Sequence, residues 1–411
     1  MKRFLQIATI FFTASFALAQ ETITISMGAG YTEEVYYKLS TQTQQTFTAN
    51  SWDVAFLRED PMNHGVRVNG GIGIQVFEAS NNPNDWNAID IANEGSWTLL
   101  YNDDTNWDNG AFMQGSATYG WGEYNPVTHH IEGSIIFVLK YADGTYRKFI
   151  IDEYFNAYTF RYATWNGTNW INENNVTVDN TNNPNNRYNY YSLQNNQEVI
   201  AEPAATDWDM VFTKYYSFLN PPGSYYNVSG VLHNPNVTVA QNEETTASPD
   251  PNGLTYSEEI NTIGYDWKSF NGSGYDIDDQ QKYYIRYEDN SIYRIYFTDF
   301  AGSGSGDLTF VMEDVSDLLG LENVSEGVTF GMYPNPSNNG MVNIVYDIQN
   351  TSEENSIEVY NMTGTKVFST KANASNGFYN KTLNLSQLPV GVYVVSFISG
   401  SKSVSKKLII K

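Results

Sequence analysis

The chain has 411 residues, enough for about three domains, and contains no cysteine, which excludes thiol nucleophiles, thiolate metal sites and disulfide scaffolds together. Its formal charge of -24 is unevenly spread: residues 332–411 carry seven lysines against four acids, so the stretch between Arg3 and that segment holds -29 and repels nucleic acid. Aromatic side chains make up 15% of the residues and long helical periodicity is absent; alternating runs such as SIIFVLKY and YYIRYED, bounded by Asn, Gly, Asp and Pro clusters, predict an all-β protein.

Residues 1–19 join a basic start at Lys2 and Arg3 to an apolar run and a small-x-small close at Ala17 and Ala19, the pattern of a secretory signal peptide cut before Gln20. The run is shorter than the roughly 20 residues that span a bilayer, and no later stretch is long enough, so a mature chain without a transmembrane segment is expected.

The next three hundred or so residues contain one pattern written twice. A shift of 146 carries Tyr119, Trp121, Asn125, Ile131, Tyr141 and Asp143 onto Tyr265, Trp267, Asn271, Ile277, Tyr287 and Asp289 without a gap. Upstream, Tyr36, Tyr37 and Leu39 match Tyr190, Tyr191 and Leu193, while Trp52, Asp53 and Phe56 match Trp208, Asp209 and Phe212. Each copy holds two strand-like runs about an Asp-Gly or Asp-Asn turn, YADGTYRKF and YEDNSIYRIYF. Two tandem homologous β domains are therefore expected at 20–170 and 175–318, joined through the Asn-rich WINENN stretch and followed by a linker at 319–331. Trp52, Trp121, Trp208 and Trp267 are assigned to the cores, each removing roughly 200 Å² from water, worth at most about 5 kcal/mol.

The order of an ITI-type strand, YYxL, WDxxF, a loop and an Asp-turn strand pair ending in TF resembles the HmuY-like haem-binding proteins of Bacteroidetes. The resemblance implies an all-β fold and extracellular haem capture through axial histidines. The family's ligand position after the tryptophan equated with Trp121 falls near Pro126 here, and near Gly272 in the second copy. The candidate haem ligands are therefore His129 and His130, just before SIIFVLKY, and His64 beside Met62 in the EDPMNHG loop. A surface adhesion or glycan-binding protein, with tyrosine and tryptophan rings stacked on sugars, is the alternative on the same scaffold.

Residues 332–411 differ in charge and texture: strand runs separated by Asn-Gly, Thr-Gly and Pro-Val-Gly turns predict a small Ig-like β-sandwich. YPNP at 333–336, VYNMTGTKV at 359–367, LPVGVYVV at 388–395 and the basic end from Lys406 to Lys411 resemble the type A C-terminal sorting domain of the type IX secretion system. That resemblance implies the secretion machinery as partner and a secreted or cell-surface location.

Chemistry-bearing motifs are otherwise sparse. Asp104, Asn106 and Asp108 alternate in DDTNWDNG, and Asp276, Asp278 and Asp279 cluster in YDIDD, but the glycine spacing departs from an EF-hand loop and no metal is expected. The chain contains no GxSxG, HExxH, phosphate-loop or dinucleotide motif, and Asp152 and Glu153 are adjacent on a strand and so face apart. Binding without catalysis is the expected activity.

Overall fold

The computed structural model describes residues 20–58, 63–244, 249–318, 328–348, 355–373, 375–399 and 402–411. The signal segment 1–19, Met62 and residues 319–327 of the expected linker lie outside the described residues. The fold is all-β, as composition and alternation predict, with 54% of the chain in strands and antiparallel sheets throughout. Among the described residues no helix is long and apolar enough to cross a membrane. The chain divides into two compact units, one running to Ala247 and resuming at Thr255–Asp314, the other made of Ser248–Leu254 and Val315–Lys411.

Within the first unit the two copies repeat each other in detail. Tyr141 N–H donates to Thr145 O at 2.9 Å, and Tyr287 N–H to Ser291 O at 3.0 Å, closing the two hairpin turns. Gly144 (φ 85°) and Asn290 (φ 66°) hold the matching left-handed position, which only Gly, Asn and Asp adopt readily. A bulge interrupts the following pair between Ile151 and Glu153 in one copy and between Phe297 and Asp299 in the other, again 146 positions apart. Trp121 and Trp267 are both fully buried.

The sheets do not follow the expected tandem boundaries. Gln20–Ser26, the first strand of the first copy, pairs antiparallel with Asp307–Asp314, the last strand of the second, setting Ile23 opposite Phe310. Trp170–Asp179, the first strand of the second copy, pairs with Ala157–Trp165 of the first and sets Val176 opposite Phe160. The YYxL strands exchange likewise: Glu33–Lys38 lies against Met210–Leu219, and Tyr188–Ser192 against Val54–Leu57.

Each core therefore draws on both halves of the sequence. Val178, Tyr191 and Leu193 pack with Phe56, Trp121, Phe137 and Phe160, whereas Ile25, Val35, Tyr37 and Leu39 pack with Phe212, Trp267, Ile285 and Phe310. WINENN is accordingly the start of a ten-residue strand at a sheet edge rather than a joint, and its exposed, Asn-rich outer half is what suggested a linker.

The second unit is the expected sandwich. Val328–Tyr333, Met341–Ile348 and Gly377–Asn384 form one sheet, and Lys366–Ala372, Asn355–Asn361, Gly391–Ser399 and Lys402–Ile410 the other. Met341–Ile348 alternates buried positions with exposed or half-buried ones, so Val342, Ile344, Tyr346 and Ile348 enter the core. Asn335 of YPNP donates to Lys407 O at 2.8 Å and accepts Ile409 N–H at 2.9 Å, tying that motif to the basic last strand.

Candidate functional site

The exchange explains why WDxxF and YYxL occur as a pair. Asp209, fully buried, accepts Lys38 Nζ at 2.7 Å, the Leu39 N–H at 2.7 Å and the Tyr287 hydroxyl, so it fastens the YYxL turn of the opposite copy. Asp53 does the same in reverse, accepting Ser192 Oγ at 3.4 Å and Gln194 N–H at 3.2 Å. Their backbones agree: Asp53 N–H donates to Tyr191 O, and Asp209 N–H to Tyr37 O.

Where the exchanged strands meet, equivalent residues of the two copies line one cleft. Tyr36 and Tyr190 line it, as do Ala55 and Val211. Tyr36 sits edge-on to Trp208 with ring centres 5.1 Å apart, and Tyr190 edge-on to Trp52 at 5.0 Å. The empty space of the cleft, including the part open to solvent at its mouth, is about 820 Å³.

Two glycines allow its floor to form. A Cβ at Gly71 would stand 2.4 Å from Lys214 O, and one at Gly70 would press on the Tyr216 ring at 3.2 Å. Asn227 clamps this turn by donating to Gly70 O at 2.9 Å and Gly71 O at 3.2 Å. On the far wall, Arg67 donates to the backbone oxygens of Asn106, Trp107 and Asp103 at 2.8 to 3.0 Å and lies 5.1 Å from the Trp107 ring. Trp107 N–H in turn donates to His233 O at 2.8 Å.

The rings of Trp52, Tyr101, Trp107 and Tyr216 remain partly exposed to the cleft. At the mouth Tyr101 stacks on Tyr225 with centres 3.8 Å apart, extending the aromatic surface outward along the Ser224–His233 strand.

Electrostatics in the cleft are set by burial. Desolvation raises the Glu34 carboxyl above its ordinary range, although Thr213 Oγ1 at 2.6 Å and Trp52 Nε1 at 3.3 Å both donate to it. Burial lowers Arg67 and Lys214. Beside the cleft, burial lifts Glu202 to about 7 against the Tyr188 N–H and Tyr190 hydroxyl that it accepts.

The sequence-derived ligand candidates lie elsewhere. His64 is half-buried among Tyr119, Trp121 and Tyr154, with ring centres 5.4, 5.8 and 6.4 Å away. His129 is exposed at φ 62° and shares a 2.7 Å hydrogen bond with the Tyr124 hydroxyl. His130 turns to Glu153 at 3.0 Å and stacks on Phe155. None of the three is among the residues lining the cleft, and each imidazole meets a different neighbour. His233, which sequence reading left without a role, is buried with both nitrogens against backbone oxygens of Asn234 and Glu259.

The acidic clusters serve internal contacts. Asp108 pairs with Arg187 and accepts from Asn63, Asp104 accepts from Asn261, and Asp152 and Glu153 go to Arg161 and His130. Among the described residues no group of His, Asp and Glu converges as a metal site would.

Three of the four repeated tryptophans are core residues as expected; Trp52 instead edges the cleft, because its indole N–H reaches Glu34. Arg67, Gly70, Gly71, Tyr101, Trp107, Lys214 and Tyr216 went unrecognised in the sequence. The adjacent glycines of VNGGIG were the one local signal for a close backbone approach.

The geometry defines an all-β body of two strand-exchanged copies around an aromatic cleft, followed by a separate β-sandwich. Residues 331–411 match the secretion system C-terminal sorting domain family, one residue beyond the span read from sequence. That module indicates export through the type IX system, to the cell surface or the medium. No curated protein matches the chain. The resemblance of residues 21–316 to the HmuY-like proteins is accompanied by no family match.

Proposed function

We propose that this exported protein acts by binding, without turnover, and that its body holds a sugar-like, polyhydroxylated ligand in the cleft between the exchanged copies. The observation carrying this reading is the set of partly exposed rings of Trp52, Tyr101, Trp107 and Tyr216, with Gln75, Asp104 and Lys214 set among them. Sugar rings offer C–H faces to aromatic surfaces and hydroxyls to polar groups, so alternating ring and polar positions in one cleft suit them. Haem capture is not the function proposed, because His64, His129 and His130 turn to separate neighbours.

Calorimetric titration of the purified full chain with oligosaccharides tests the reading, alongside a spectrophotometric titration with haemin. Saturable sugar binding that weakens by about tenfold, or 1.4 kcal/mol, in Tyr101→Ala and Tyr216→Ala is expected. A Soret band that saturates with haemin, together with no heat from any sugar, would overturn it.

A further inference from the structure

We infer that the sugar bound in the cleft carries a carboxylate, and that Lys214 Nζ receives it. This rests on the sugar reading above and narrows it to acidic saccharides of the uronate type.

The unit containing the cleft is strongly acidic, and its other described lysines are occupied. Lys38 is held by Asp209, Lys140 by Glu94, Lys148 by Trp86 O, Lys268 by Ser229 O and Lys282 by Asp279 O. Lys214 alone among them makes no side-chain hydrogen bond or ion pair to a described residue, although it is half-buried and lines both the main cleft and a side lobe shared with Tyr31, Glu33, Glu34 and Ile72. A partly desolvated ammonium is unfavourable without a bonded counter-charge, and this residue is among those lining the space where a ligand would sit.

The other charged groups of the cleft are committed. Arg67 spends its donors on Asn106, Trp107 and Asp103 oxygens, and Glu34 is held by Thr213 and Trp52. Asp104 accepts from Asn261. The remaining cation is thus placed to pair with an incoming anion, while the overall negative charge of the body is screened beyond about 8 Å at physiological salt.

A carboxylated ring stacked near Tyr216 would bring its acid group to the neighbouring lysine, and further units would continue over Tyr101 and Tyr225 toward solvent. The cleft therefore selects for charge at one subsite and for stacking at the rest.

The test compares an oligogalacturonate with a neutral glucan oligosaccharide of equal length, by calorimetry on the full chain. The uronate is expected to bind at least about tenfold more tightly, with the preference falling to near unity in Lys214→Met and surviving in Lys214→Arg. The preference should also shrink as salt is raised, as expected of a charge pair. Equal affinity for the two sugars, or a preference that persists in Lys214→Met, would overturn the carboxylate inference while leaving the sugar reading intact. Binding of neither sugar would overturn both.

Discussion

Glu202 links the chemistry of single residues to the stability of the whole cleft wall. Buried beneath Tyr188 and Tyr190, it is lifted from 4.5 to about 7, so it keeps its proton in the folded chain where the unfolded chain has lost it. The stability it contributes is fully present below pH 4.5 and is lost as pH rises toward 7, on the order of 3 kcal/mol from the size of the shift. Glu202→Gln should flatten that slope, matching the parent near pH 4.5 and exceeding its stability at pH 8, as read by urea unfolding at both values. An unchanged slope would show that the carboxyl ionises freely in the fold. Sequence pattern could not reveal this group, because a lone Glu in a polar loop gives no sign of which rings will close over it. The tryptophans were legible for the opposite reason: a large ring repeated at one offset predicts burial, and Trp121, Trp208 and Trp267 are buried.

At the level of strands and turns, alternation and turn chemistry identified most elements. YADGTYRKF and YEDNSIYRIYF form hairpins about Gly144 and Asn290 as their turn residues require. Which strand pairs with which was not legible, because Gln20–Ser26 and Trp170–Asp179 carry nearly the same pattern and would fit either sheet edge. The exchange makes each copy's first strand a part of the other copy's core. Ile25 shows this directly, lying fully buried with Trp267 and Phe310 rather than with Trp121. Ile25→Asp would bury an unpaired charge there and should open the sheet from Tyr283 to Met312 locally. Hydrogen exchange should then quicken in that stretch while Ile136–Tyr162 keeps its protection. Loss of protection in Ile136–Tyr162 instead would place the strand in the other core.

For the whole molecule, the cleft draws on both copies, since Tyr36 and Ala55 line it together with their counterparts Tyr190 and Val211. Neither Tyr36 with Tyr190 nor Ala55 with Val211 is close in sequence, which is why reading along the chain pointed to histidine loops and missed the cleft. The sorting module was legible from 332 on because its motifs are local, Asn335, the Asn361 turn and Tyr393 each making contacts within a short span or to the last strand, but its first strand, Val328–Tyr333, starts inside the expected linker.

The exchanged architecture is tested most directly by disulfide trapping, which the absence of native cysteine makes clean. Thr24 and Thr309 are strand partners with hydroxyls 3.3 Å apart, as are Thr159 and Thr177 at 3.2 Å. Oxidation of the Thr24→Cys, Thr309→Cys double variant should give a crosslinked peptide within one chain, whereas Thr24→Cys with Thr159→Cys should stay reduced. A bond between positions 24 and 159, with none between 24 and 309, would contradict the exchange and the cleft built upon it.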